Sequence, residues 1–457
     1  MSVLLGLSVV LASTNAVMAN SVTANEQATE LVDKQIEVLS IFGQHNPLET
    51  ATGSAVVLDQ LQLEAFEFDD IHRVLQSVPG VYIREEDGYG LRPNIGLRGA
   101  TTERSSKIAL MEDGVLIAPA PYAAPAAYYF PLVSRMSRVE VFKGPSAIKY
   151  GPNTIGGAIN MVSRPITDNS PEEGAEALVD LAYGQDNYLK AHGVYSQNFT
   201  AKGYGQFGVL VEALTLNADG FKKLDNGENT GFAKNEFLVK LDYSPVNSQH
   251  NEFWQFKFAY ADEVSHETYL GLTDADFALN ATRRYLGSQN DKMDWEHYQF
   301  QLGYYIELSP EVSVFTQAYR QDFDRDWDRL NSFNTNRSMQ TILTSPNTGV
   351  NASFMQVLKG ERDSLTVEED LLFTLNDRSY YSQGIESKLT WDTLWGDTDI
   401  NLDAGLRFHQ DNVERHHRVN YYATQSQELV LTGQAPAVTT QNQGKATAVA
   451  GYTNVSA

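Results

Sequence analysis

The chain has 457 residues and carries 34 Lys and Arg against 58 Asp and Glu, a formal charge of −24. That balance offers no basic face for a nucleic acid, so an anionic ligand would need a local cluster of cations. Cysteine is absent, which excludes disulfides, thiolate metal sites and cysteine nucleophiles.

Residues 3–12 (VLLGLSVVLA) form a short apolar run, and Val17-Met18-Ala19 supplies small residues before a cut, which predicts an export signal over 1–19. The run is too short to cross a bilayer as a helix. No Lys or Arg precedes Lys34, so the basic start of such a signal is expected to be incomplete. A polar arm follows over 20–52. Within it Glu37, Val38, Leu39, Ser40, Ile41 and Phe42 form a β-prone hexamer that could add as a strand to the edge of a partner's sheet.

Residues 53–168 are dense in Gly, Pro and short apolar runs and read as a small α+β domain. Asp69-Asp70 can cap a short helix through Leu75, and Pro79-Gly80 stops it before the strand Val81-Tyr82-Ile83. Gly88-Tyr-Gly90 lacks the spacing of a dinucleotide loop. The text runs IHRVLQSVPGVYIREEDGYGLRPNIGLRG over 71–99, then KIALMEDGV over 107–115, RVEVFKGPSAIKYG over 138–151 and GGAINMVS over 156–163. In these motifs the segment resembles the plug of TonB-dependent outer-membrane receptors.

The resemblance implies an N-terminal α+β plug inside an antiparallel transmembrane β-barrel of about 22 strands in the whole family fold. It implies residence in the outer membrane of a Gram-negative cell, among its lipid and lipopolysaccharide. It also implies import rather than enzymatic chemistry, no cofactor, and energy from TonB and its inner-membrane motor partners. The hexamer from Glu37 to Phe42 stands in the place of the TonB box. The short stretch ahead of it leaves no room for a periplasmic signalling domain, so transport without transcriptional signalling is expected. Plug cations of the family meet carboxylates of the barrel wall, and by resemblance Arg98, Arg138 and Lys143 take that role here, with Glu307 or Asp403 opposite.

From 175 to 457 the chain reads as alternating strands. Tyr298, Phe300, Leu302, Tyr304, Ile306 and Leu308 share one face against His297, Gln299, Gln301 and Glu307. Ile400, Leu402, Ala404, Leu406 and Phe408 repeat the device against Asn401, Asp403, Arg407 and His409. Runs this long suit the tilted crossing of an apolar band about 25 Å tall. We predict roughly ten or eleven strands, near 176–183, 187–198, 204–216, 233–244, 252–263, 295–308, 311–323, 366–376, 379–392, 398–411 and 446–455. Pro310 marks a tight turn, whereas 264–294 and 325–366 read as long polar excursions. So few strands make a bore too narrow for the plug, so the barrel is expected to be unfinished, with its C-terminal strands missing.

The segments GLRPNI at 90–95, APAPYA at 118–123 and ETYLGLTDADF at 267–277 resemble the ferric-citrate branch in particular. That likeness implies a ferric chelate such as ferric citrate as cargo. Guanidinium groups hold carboxylates in bidentate fashion, so Arg283, Arg284, Arg320, Arg325 and Arg329 are wall-side candidates. Thr101, Thr102, Arg104 and Ser105 are candidates at the plug apex, with Pro121 and Tyr122 shaping the floor. The short apex and Glu103 depart from that branch and point also to another siderophore or small nutrient. A passive porin-like channel is the rival of a different class. His409, His416 and His417 do not make a metal site, since adjacent residues of a strand face opposite sides.

Overall fold

The computed structural model of the chain describes residues 6–8, 54–166, 175–246, 248–396 and 398–456. Residues 37–42 and the cleavage point of the predicted signal lie outside the described residues. Near the N-terminus, β1 (Gly6–Ser8) runs along the edge of the large sheet introduced below.

The plug begins with β2 (Ser54–Leu58) and a short helix, Gln60–Glu64. Asp59 accepts from the Gln62 amide at 2.9 Å while the Gln62 side chain accepts from the Asp59 amide at 3.0 Å, a reciprocal cap. The predicted helix is Ile71–Leu75, started by Asp70, whose carboxylate accepts from the His72 amide at 2.8 Å. After it come β3 (Val81–Ile83), β4 (Ile95–Leu97), β5 (Ala109–Glu112), β6 (Val115–Leu116), β7 (Met136–Lys143) and β8 (Ala158–Ser163). The central sheet has the order β2-β7-β8-β5-β6, and only β5 and β8 run parallel. Asp113 and Gly114 join β5 to β6 with φ of 50° and 79°. Two positive φ angles in a two-residue hairpin match the right-handed twist of the strands. This turn thrusts Glu112 and Asp113 outward from the sheet.

The barrel segment comprises β9 (Glu176–Tyr183), β10 (Leu189–Ala201), β11 (Gly205–Ala218), the short β12 (Lys223–Leu224), β13 (Phe232–Pro245), β14 (Asn251–Ser265) and the short β15 (Arg283–Arg284). It continues with β16 (Lys292–Ser309), β17 (Val312–Phe333), β18 (Leu371–Trp395), β19 (Thr398–Gln425), β20 (Glu428–Leu431) and β21 (Ala437–Ser456). Ten long strands form one antiparallel sheet from β9 to β21, while β1 lies on β9 and β20 extends the top of β19. The predicted strands 366–376 and 379–392 are a single strand, β18. The predicted excursion from 325 begins only after Phe333.

Burial along the strands is inside-out. Lys257 is fully buried and Leu406 is 68% exposed, the reverse of a soluble sheet and the pattern of a wall that meets lipid outside and polar matter within. Aromatic pairs pack across strands on the outer face with tilted rings, Trp254 against Tyr304 at 4.2 Å, Phe258 against Phe300 at 5.0 Å and Tyr260 against Tyr298 at 5.0 Å. No described helix is long and apolar enough to cross a membrane.

The long loops are folded rather than open. Helices Met339–Thr344 and Asn351–Lys359 pack Ile342, Phe354, Val357 and Leu358 against Tyr285, Phe333, Leu371 and Phe373. This second core forms a cap on the loop end of β16–β19.

Candidate functional site

The plug meets the wall through charge. Arg92 pairs with Glu263 on β14 at 2.6 Å, and Arg135 pairs with Glu236 on β13. Lys257 on β14 lies 2.8 Å from Glu112 and 2.6 Å from Asp113, so the β5–β6 turn is clamped by one wall ammonium. The Glu236 carboxylate also accepts from the Leu132 amide at 2.9 Å, and Lys234 donates to the Phe130 carbonyl at 2.6 Å. Burial alone would raise the Glu112 carboxyl, but Lys257 and Arg135 outweigh it and hold it below its usual value.

Further round the wall the contacts are hydrogen bonds. Asp411 on β19 accepts from the amides of Tyr122 and Ala123 at 2.6 and 3.0 Å. Arg407 reaches the Tyr150 carbonyl at 3.0 Å. Gly151 approaches the wall closely: a Cβ there would sit 2.5 Å from the Arg407 guanidinium, at a φ of 113°.

Among the described residues, the three predicted seat cations make their contacts inside the plug. Arg138 pairs with Glu140 on its own strand at 2.7 Å, and Lys143 donates to the Pro79 carbonyl of the plug at 2.9 Å. Arg98 sits beside Gly144, also inside the plug. On the wall, Asp403 pairs with Lys388 at 3.5 Å, and Glu307 accepts from Asn251 at 3.1 Å. The seam is also partly apolar, since Trp295, Phe323, Tyr380 and Val413 of the wall join the plug's own core.

Above the seat, strand register builds a cluster that no single segment contains. Trp295, Arg325, Arg378 and Arg415 stand directly opposite one another on β16, β17, β18 and β19. Like charges placed opposite across strands repel, so this rung favours a bound anion. Arg325 is 2% exposed, forms no ion pair among the described residues, and stacks 4.1 Å over the Tyr128 ring. Arg104 from the plug apex lies 5.6 Å from Tyr128 and 5.7 Å from Trp327, and Arg329 lies 4.8 Å from Trp327. Arg378 donates to His417 at 3.0 Å and Arg415 to Asn442 at 3.2 Å. Burial would raise the Tyr128 phenol, but Arg325, then Arg104 and Arg378, outweigh it and hold it below its usual value.

Of the predicted ligand residues, Arg104, Arg325 and Arg329 meet in this cluster. Arg283 is spent on Asp225 and Asp276 at 2.6 and 2.9 Å, and Arg284 on Thr268 and loop carbonyls. Arg320 has the parity of the outer face, where it pairs with Asp322 and covers Tyr381. Ser105 is buried in the plug between Pro93 and Ile95, and Thr101 accepts from the Glu103 amide, beside Thr102 at the start of the apex turn. Tyr122 attaches the plug to the wall, its ring lying 5.0 Å from His409, whereas the Pro121 carbonyl accepts from Asn153 within the plug. Sequence reading missed Arg378 and Arg415, because a turn placed between residues 376 and 379 hid the register that aligns them. His409 is an inward residue bonded to Tyr319 and Asp411 at 2.7 and 3.0 Å.

The comparisons agree with this architecture. Residues 47–158 match the family model of the TonB-dependent receptor plug domain. The chain is 25% identical over 304 residues to the vitamin B12 transporter BtuB of Photobacterium profundum, covering 65% of this chain and 44% of that protein. It is 28% identical over 239 residues to BtuB of Vibrio vulnificus, covering 52% and 35%. It therefore spans less than half the length of these curated relatives. Among solved structures, the unliganded ferric citrate transporter FecA superposes with a TM-score of 0.66 at 19% identity, over 88% of this chain and 54% of that one. BauA, the ferric preacinetobactin receptor of Acinetobacter baumannii, does so with a TM-score of 0.62 at 14% identity, over 91% and 57%. Residues 47–158 are thus matched as a TonB-dependent receptor plug domain, and buried ion pairs seat it against an inside-out antiparallel wall with the fold of the solved receptors.

Proposed function

We propose that this protein is a TonB-dependent importer of an anionic ferric chelate of the citrate type in the outer membrane of a Gram-negative cell. The observation that carries the substrate is the rung of Arg325, Arg378 and Arg415, in register on three strands and joined by Arg104 from the plug. Among the described residues Arg325, Arg378 and Arg415 make no ion pair, while Arg104 pairs with Glu86 at 2.7 Å, and three such guanidinium groups suit a ligand that brings several carboxylates of its own. The plug blocks the lumen at rest, and pulling on residues 37–42 through TonB would displace it with energy from the inner membrane. Buried charge pairs support a seat that is firm at rest.

A corrinoid is the second reading, favoured by sequence likeness to proteins named vitamin B12 transporters. A largely neutral ligand would leave the arginine rung uncompensated. Quenching of tryptophan fluorescence, with Trp327 and Trp295 lining the cluster, separates the two. Ferric citrate is expected to quench at lower concentration than cyanocobalamin, hydroxamate or catecholate chelates; equal weak responses would sink the citrate reading. Deleting residues 37–42 from the expressed gene is expected to abolish uptake and leave surface binding intact.

A further inference from the structure

Below the arginine rung the lumenal face of β16–β18 changes character one rung at a time. His297, Phe323 and Tyr380 form an aromatic rung. Beneath it Gln299 lies opposite Gln321 and Ser382, and then Gln301 lies opposite Tyr319. Gln299 and Gln301 are buried to 0% and 1% exposure, and neither atom of either amide has a protein partner among the described residues. The Gln317 carbonyl and the Ser382 hydroxyl are left in the same state. A buried amide without partners is costly, and a wall that collects several is built to bond something other than protein.

Attachment of the plug is lopsided in the same direction. Glu236, Lys240, Lys257 and Glu263, all on β13 and β14, pair with plug charges. Among the described residues no ion pair joins the plug to β16, β17 or β18. There the plug offers the Leu116 carbonyl to Gln321 at 2.8 Å, and Tyr129 stacks on His297 at 3.9 Å, closing the aromatic rung.

We propose that cargo passes the plug along this amide track on β16–β18, while the ion pairs on β13 and β14 keep the plug pinned as it swings aside. The inference rests on the transport reading above. Neutral amides bond carboxylates, hydroxyls and water without trapping a charged chelate, and below them the charges of β18 are already matched, Glu386 by Arg407 at 2.7 Å and Lys388 by Asp403 at 3.5 Å. Withdrawal of Tyr129 from His297 would open the way between the two zones.

The chain's lack of cysteine makes the test direct. Single variants Gln301→Cys on the track and Leu238→Cys on the pinned arc would be expressed in cells and exposed to a membrane-impermeant maleimide. With ferric citrate present, Gln301→Cys is expected to label at least ten-fold faster when residues 37–42 are intact than when they are deleted. Leu238→Cys is expected to keep one rate. Faster labelling of Leu238→Cys alone, or an unchanged Gln301→Cys in cells that import, would overturn the track and leave the transport reading standing. Absence of TonB-dependent ferric citrate uptake by the unaltered protein would overturn both. A second measurement uses Gln299→Leu with Gln301→Leu in protein shown to be folded by its heat-modifiable migration. Uptake is expected to fall about ten-fold with the Kd for ferric citrate within two-fold, and wild-type uptake would sink the proposal.

Discussion

Arg325 holds its charge in the lumen over an aromatic ring, and its neighbours across the strands are Trp295 and Arg378 rather than acids. Charge-assisted bonds of this kind contribute about 1.5–3 kcal/mol each. Changing Arg325 or Arg378 to Gln is therefore expected to raise the Kd for ferric citrate about ten- to hundred-fold in a quenching titration. Arg320→Gln, on the outer face, should leave it within two-fold. The same accounting applies to Glu267 in the loop after β14, which pairs with Lys222 at 2.7 Å. Burial first, and the Asp87 carboxylate second, outweigh Lys222 and push the Glu267 carboxyl up to about 7 from an ordinary 4.5. A raised folded value means that its contribution is full below about 4.5 and is lost as pH rises through about 7. The protection of the His266 amide, which donates to Gly231 at 2.9 Å, measured relative to the intrinsic base-catalysed exchange rate at each pH, is thus expected to fall over that window. Glu267→Gln should flatten the pH dependence, and a profile equal to wild type would count against the assignment.

At the scale of elements, the β5–β6 hairpin shows how a local rule serves a distant contact. The positive φ at Asp113 and Gly114 makes a tight turn, and that turn delivers two carboxylates to Lys257 on β14. Lys257→Met would leave Glu112 and Asp113 buried with less compensation, a loss of about 3–5 kcal/mol when one partner of a buried pair is removed. Protease digestion of the plug in isolated outer membranes is expected to quicken markedly, with barrel strands still protected; an unchanged digestion rate would show the clamp to be idle. Strand existence was legible at this scale because residues two apart share a face. The unity of β18 was not: Asn376, Asp377 and Arg378 read as a polar turn, and only pairing with β17 and β19 carries the strand straight through them.

For the whole molecule, the inside-out wall dictates the solvent on each side. A leucine as exposed as Leu406 would tolerate arginine on a soluble protein, whereas a lipid-facing site loses about 2–4 kcal/mol at mid-bilayer and less toward the rims. Leu406→Arg is expected to lower stability by up to that amount in reversible folding into vesicles, and a neutral result would contradict the lipid-facing reading. The loops, read from sequence as polar excursions, instead share a core of Phe333, Phe354, Leu358 and Phe373. Its buried apolar residues come from five separate segments, at 285, 333, 342, 354–358 and 371–373, so no window of sequence displays the cap they form together.

The sequence by itself determined the plug, through motifs whose glycines and short strands are contiguous, and the alternation of the wall, through period two. It also supplied three of the cluster's arginines, Arg104, Arg325 and Arg329. Which cations seat the plug and which line the lumenal cluster was decided only by the tertiary structure. Arg138 and Lys143 look alike beside Arg92 and Arg135 in one dimension, yet the former pair bonds within the plug and the latter pair crosses to the wall. Arg320 and Arg325 lie five residues apart on one strand, an odd spacing that puts them on opposite faces. The rung of three arginines exists only because register across β17, β18 and β19 brings residues from distant parts of the chain to one height in the lumen.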